Sequence, residues 1–164
     1  MLAAIDLETT GLEAGYHEIT EIGIYPERGP PFSRRVRPRF PERQNAIVTE
    51  LTGINPYEPA PYLEEVLDDL DEYLNGQRFE PIAHNWPFEY SFLANVGGDF
   101  FQHNRALCTL QLAHAAAFRH KLPASKSLGS LCAHFGIVNE REHRALPDDH
   151  AGLQLFYKLK ELLS

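Results

Sequence analysis

The sequence predicts an α/β fold in which a mixed five-stranded sheet is flanked by helices. Two observations carry this. The early part of the chain holds three short strand-like segments separated by turn residues, and the later part alternates strand-like runs with segments of helical periodicity. Strands first and strand-helix alternation afterwards bury their apolar faces as layers, helices packed on a sheet.

Leu2 to Glu8 is a short apolar strand ended by the turn residues Thr9, Thr10 and Gly11. Glu18 to Tyr25 alternates well enough for a second strand and Phe32 to Arg37 for a third, with Gly29, Pro30 and Pro31 between them. The three form an antiparallel meander. Pro38 to Pro61 is rich in proline and turn residues, an ordered loop with one short helical piece at Ala46 to Thr52. Leu63, Val66, Leu67, Leu70 and Leu74 then recur at helical spacing. Glu64, Glu65, Asp68, Asp69 and Glu72 lie off that stripe, as on a solvated helix face.

Phe79 to Ala83 reads as the fourth strand, leading to His84 and Asn85. Pro87 suits the first turn of the next helix, where its missing N–H has no intrahelical partner to lose, and Glu89 projects from that turn. Ala106 to Thr109 reads as the fifth strand, followed by a helix from Leu110 to about Arg119. Another helix carries Leu128, Leu131, Cys132 and Phe135 and stops at Gly136. The last starts near Pro147 and buries Leu155, Phe156, Leu159 and Leu163. Its first turn holds Asp148 and Asp149, where the helix dipole favours negative charge.

With 164 residues and no internal repeat or low-complexity linker, residues 1–164 read as one domain, large enough to bury roughly two-thirds of the unfolded surface. No run approaches the ~20 apolar residues of a membrane span, and the chain enters a strand directly, without a basic, apolar leader. The expectation is a soluble cytoplasmic protein with no membrane contact. Cys108 and Cys132 are too few for a disulfide framework and read as small buried apolar residues. The formal charge of -8 weakens long-range attraction to polyanions. A nucleic-acid partner would have to be held by bound cations, a local basic strip and stacking.

Candidate chemistry begins with Asp6 and Glu8. Side chains alternate across a strand, so these two share one face while Ile5 and Leu7 share the other. Carboxylates held side by side repel, and one must take up a proton unless a cation joins them. A hard divalent cation with oxygen ligands resolves the conflict. Acids of an edge strand facing water fit the same two residues.

Three segments taken together resemble the DEDDh group of 3′-to-5′ exonucleases, the DnaQ-like proofreading family, over nearly the whole chain. Asp6 and Glu8 with Thr9, Thr10, Gly11 and Leu12 look like its first motif. Ala83, His84, Asn85 and Phe88 look like the second, and His143, Ala145 and Asp148 look like the third. Two positions depart from the pattern. Glu89 stands where the family has Asp after Phe, longer by one carbon-carbon bond, about 1.5 Å, and Asp149 stands where the family has a small residue.

The resemblance implies a ribonuclease H-like fold, the antiparallel meander joined to parallel strands. It also implies a site that holds two divalent cations, Mg²⁺ or Mn²⁺, on Asp6, Glu8, Glu89 and Asp148, with His143 as the general base. Histidine titrates near neutrality, which suits that task. The implied reaction is two-metal hydrolysis of a phosphodiester, releasing 5′-mononucleotides from the 3′ ends of single-stranded DNA or short RNA. Thr9, Thr10, Leu12, Asn85 and Phe88 would hold the terminal nucleotide, with Phe88 stacking on a base or packing in the core. A degenerate domain that binds nucleic acid or a polymerase without turnover is the alternative. The chain ends at Ser164 with no tail to tether a DNA polymerase, so a free-standing enzyme is expected.

Weaker signals surround these. Arg34, Arg35, Arg37, Arg39 and Arg43 cluster near the third strand, for phosphate contact or for protection of a sheet edge. Cys108, His114, Cys132 and His134 match no usual zinc spacing. Trp86, Phe100 and Phe101 would serve packing or form a nucleic-acid platform.

Overall fold

A computed structural model describes residues 1–96, 100–101, 105–139 and 143–164. Its sheet has five strands, β1 (Leu2–Thr9), β2 (Ile19–Pro26), β3 (Phe32–Arg35), β4 (Glu80–Ala83) and β5 (Leu107–Cys108), in the spatial order β3-β2-β1-β4-β5. The first three form the antiparallel meander, whereas β4 runs parallel to β1 and β5 parallel to β4. The described helices are α1 (Ala46–Thr52), α2 (Leu63–Leu74), α3 (Trp86–Val96), α4 (Thr109–Ala116), α5 (Leu128–Phe135) and α6 (Ala145–Leu162). No described helix is long and apolar enough to cross a membrane.

Strand alternation divides the core. Ile5 and Leu7 of β1 and Ile22 and Ile24 of β2 pack with Val66 and Leu70 of α2 and Phe92 and Leu93 of α3. On the opposite face Ala4 and Ile82 pack with Leu153 and Phe156 of α6. Helices α4 and α5 cover the outer side of α6 through Ala113, Ala116, Leu131, Leu155 and Leu159. Register sets Asp6 opposite Gly23 and Glu8 opposite Glu21, so these four positions share the face that α6 covers.

Several boundaries differ from the sequence reading. Strand β3 stops at Arg35 instead of Arg37, because the Arg37 N–H turns away to the carbonyl of Pro61. Helix α4 ends at Ala116, and the Arg119 and His120 N–H groups fold back onto the Ala116 carbonyl. Helix α6 begins at Ala145, ahead of Pro147; Pro147 still falls in the first turn, where a missing N–H costs nothing. Leu163 is not buried: it caps the C-terminus of α6, past the sheet, and is exposed. The acidic face of α2 is exposed to solvent, as expected, and there Asp69 pairs with Arg34 at 2.9 Å and Glu64 with Arg39 at 2.6 Å.

Candidate active site

Strands β1 and β4 are parallel and end at the same edge of the sheet, the place where α/β folds collect functional residues. Pairing of β1 with β2 shifts between Glu8 and Thr9, so that Thr9 faces Ile19 and Thr20 is left over as a bulge. Such a bulge bends the strand end and re-aims its side chains. Asp6 and Glu8, in regular register ahead of the bulge, lie beneath the N-terminus of α6, which supplies Asp148. Among the described residues, Asp6, Glu8 and Asp148 each offer an oxygen within 4.8 Å of the others'.

Asp148 is held from two sides. Asn139 Nδ2 donates to its Oδ1, and the His143 N–H donates to Oδ2 at 2.9 Å. His143 reaches this geometry in the left-handed region, φ 62°, uncommon for a non-glycine residue. Its side chain lines the same cleft as the carboxylates. Residues 140–142, which precede His143, lie outside the described residues.

Two further acids close in from below. Glu89, in the first turn of α3, is 4% exposed and lines the cleft, but stands outside the tight trio, and its Oε2 has no hydrogen-bond partner. Asp149 is 2% exposed, and neither of its oxygens has a partner. It lies over Gly23, where a side chain of any size would run into its Oδ2 and into Ala145. Because Gly23 is the cross-strand neighbour of Asp6, the Asp149 carboxyl occupies space beside Asp6 that a larger residue would fill.

Electrostatics follow from this crowding. Burial, then the charges of Asp149, Glu89, Glu8 and Asp148, push the Asp6 carboxyl well above its usual range. Burial also raises Glu89 to about 8. It raises Glu8 to about 8 as well, aided by Asp148 and Glu21 and opposed by Arg144. Asp149 is raised well above its usual range by burial and by Asp148, Glu89, Glu21 and Glu8. Without a cation the site must carry protons. Oxygen donors this close, with orphaned buried oxygens behind them, fit a hard divalent cation.

The cleft measures about 660 Å³. Leu12 at its rim is 84% exposed, and Asn85 and Phe88 line it; Phe88 also packs against the core and lies 5.1 Å from the Phe92 ring. Thr9 and Thr10 are placed differently. Both side chains are buried, the Thr9 hydroxyl donates to the Gly11 carbonyl at 2.6 Å, and the Thr10 hydroxyl accepts from the Glu18 N–H at 3.0 Å. They shape the turn after β1. Phe101 is core, with Phe100 and Trp86 packed against the same cluster, and Cys108 and Cys132 are buried free thiols.

Two functional features escape the sequence reading, and His84, named there only within its motif, gains a role. The Arg144 guanidinium and the buried Glu21 carboxylate pair beside Glu8. The signal was a lone acid inside the apolar run Ile19 to Ile24, which must find a partner when buried. The N-terminus of α5, capped by Ser127, whose hydroxyl accepts from the Ser130 N–H at 3.3 Å, forms a wall of the cleft; its free N–H groups favour anions. His84 joins β4 to that wall, with Nδ1 2.9 Å from the Thr109 hydroxyl and Nε2 2.8 Å from the Lys126 carbonyl. Burial lowers its pKa. A neutral ring donating from Nε2 and accepting at Nδ1 satisfies both contacts.

A family model described as an exonuclease, RNase T, matches residues 3–156. The chain is 32% identical over 168 residues to a DNA polymerase III PolC-type of Caldanaerobacter subterraneus subsp. tengcongensis, a match covering 96% of this chain and 11% of that relative. Among solved structures, the nuclease domain of 3′hExo, a DEDDh family member bound to rAMP, superposes with a TM-score of 0.72 at 18% identity over 98% of this chain and 91% of that one. Escherichia coli exonuclease I in complex with a dT13 oligonucleotide gives a TM-score of 0.78 at 16% identity, over 97% of this chain and 40% of that one. The fold of this chain is that of these ribonuclease H-like nucleases.

Proposed function

The chain belongs to the exonuclease family, in its DEDDh, DnaQ-like group, and from this premise we propose that it is a metal-dependent 3′-to-5′ exonuclease releasing 5′-mononucleotides from single-stranded DNA or short RNA. The observation that carries the reading is the convergence of Asp6, Glu8 and Asp148 within 4.8 Å on a cleft that His143 also lines.

In this reading Asp6, Glu8 and Asp148 would hold two divalent cations, Mg²⁺ or Mn²⁺, with Glu89 completing the set. When bound, such ions polarise the phosphoryl group, activate water and neutralise the leaving oxygen. Two divalent ions would bring the formal charge from -8 to -4, and the free N–H groups at the start of α5 would add local attraction for a phosphate. His143 takes the proton of the attacking water, and its own N–H keeps Asp148 in place. Leu12, Asn85 and Phe88 face the terminal nucleotide, with a stacked base worth about 1–3 kcal/mol; Thr9 and Thr10 act through the shape of the turn. Two buried free cysteines suit a cytoplasmic site of action.

One observation favours a second reading. Glu89 stands outside the tight trio, as it would in a degenerate domain that binds nucleic acid or a DNA polymerase without turnover. Because the PolC-type relative is a polymerase of which this chain matches 11%, a polymerase is the partner this reading favours.

End-labelled single-stranded DNA and RNA, incubated with Mg²⁺ or Mn²⁺ against an EDTA control, separate the two. Stepwise shortening from the 3′ end that Asp6→Ala abolishes and His143→Ala strongly slows is the expected result. Cleavage retained by Asp6→Ala overturns the mechanism, and metal binding with no cleavage under any condition supports the second reading.

A further inference from the structure

A second cavity, about 230 Å³, lies outside the carboxylate cleft. Arg37, Arg39 and Arg43 line it with the aromatic rings of Tyr16, Phe40 and Tyr62, all three exposed at the surface. The groups interleave. The Arg43 guanidinium lies 3.9 Å from the Phe40 ring centroid and 4.4 Å from that of Tyr16, and its Nη1 donates to the Tyr16 carbonyl at 2.6 Å. Arg37 and Arg39 each stand 5.4 Å from the Tyr62 ring.

Charge in this cavity runs against that of the chain. Of its acids, Glu18 is occupied by the N–H groups of Arg39 and Phe40, and Glu64 by Arg39. Arg37 and Arg43 have no carboxylate partner among the described residues. A chain of net charge -8 that leaves two guanidinium groups uncompensated against exposed rings presents the two features of a single-strand track, cations for phosphates and π-faces for bases.

Two elements run from the carboxylate cleft to this cavity. Helix α3 gives Phe88 and Glu89 to the cleft and Phe92, Asn95 and Val96 to the cavity. At 1.5 Å per residue, Phe88 to Val96 spans about 12 Å, a reach of a few nucleotides. The segment after β1 gives Leu12 to the cleft and Gly15 to Ile19 to the cavity.

We propose that this arginine-aromatic groove binds the single-stranded segment upstream of the 3′ terminus, holding its phosphates on Arg37 and Arg43 and its bases against Tyr16, Phe40 and Tyr62. The proposal rests on the exonuclease reading for the identity of the strand. In its terms the acidic chain gains length-dependent affinity at this groove, and the cleft itself grips the terminal nucleotide alone.

Fluorescence anisotropy with a labelled oligothymidylate of about twelve nucleotides, in EDTA so that neither metal nor turnover contributes, tests it. Arg37→Ala should weaken binding about 3- to 10-fold and lower the slope of log affinity against log salt by about 0.7, the share of one phosphate contact on a single strand. Arg43→Met should act likewise, and thermal unfolding of each variant verifies its folding. With metal, KM for the oligonucleotide should rise in both, while hydrolysis of the nitrophenyl ester of thymidine 5′-monophosphate stays unchanged. Unaltered affinity, slope and KM in folded Arg37→Ala and Arg37→Glu overturn the groove. Absence of any hydrolysis by the unmodified protein would instead defeat the exonuclease reading, and arginine-dependent binding in EDTA would still stand.

Discussion

Arg144 grips Glu21 with two parallel hydrogen bonds, Nε to Oε2 at 2.8 Å and Nη2 to Oε1 at 2.7 Å. The pair joins β2 to the start of α6 and lies beside Glu8, the cross-strand neighbour of Glu21. The same carboxylate stands 3.5 Å from the Ala145 N–H, the first of the helix.

Arg144→Met should therefore destabilise the fold by about 3 kcal/mol, the cost of leaving a buried carboxylate without its cation. Glu21→Gln combined with Arg144→Met should recover part of that loss. Urea denaturation of the two variants beside the unmodified protein measures both effects; equal midpoints would show that the pair contributes nothing to stability.

Asp149→Asn removes a buried acid whose oxygens have no partner and which, on folding without metal, must either bind a proton or add to the charge around Asp6. In the metal-free protein it should raise the urea midpoint near pH 8, because the amide neither repels its neighbours nor needs a proton to be buried. An unchanged or lower midpoint would mean that the acid is already satisfied.

Glu8 and Glu89 titrate near 8 in the folded protein and near 4.5 ordinarily. Between those values the native state binds protons that the unfolded chain has lost, so their contribution to metal-free stability should fall as pH rises from about 4.5 to about 8. Mn²⁺ requires the deprotonated oxygens, so its affinity should climb through the same window with proton release. Unfolding curves at several pH values with EDTA, and calorimetric titrations in buffers of different ionisation enthalpy, measure the two halves.

Glu89→Gln should weaken Mn²⁺ binding about 10- to 100-fold, as expected when a supporting oxygen of a metal site is lost. Isothermal titration gives this directly. Unchanged affinity would place Glu89 outside the working ligand set.

Much of this was legible in the chain because it depends on periodicity. Alternation put Asp6 and Glu8 on one face, and the strand and helix order gave the mixed sheet. What was hidden depends on which elements meet. The partnership of Glu21 with Arg144 links residues 123 positions apart and moves the start of α6 back to Ala145, which no local signal announced. The burial of the Thr9 and Thr10 hydroxyls follows from their bonds to Gly11 and Glu18, not from residue type. Asp149 stood out in the sequence as an acid where the family has a small residue, but its place against Gly23 depends on how α6 crosses β2.

The trio of carboxylates draws Asp6 from the first strand and Asp148 from the last helix. Closing so long a loop is paid in chain entropy before any contact rewards it, and the trio is expected to form after the main folding barrier. A bound cation should then leave the folding rate nearly untouched and slow unfolding instead. The metal would act as a kinetic latch, and stopped-flow chevrons with and without Mn²⁺ should differ only in the unfolding limb.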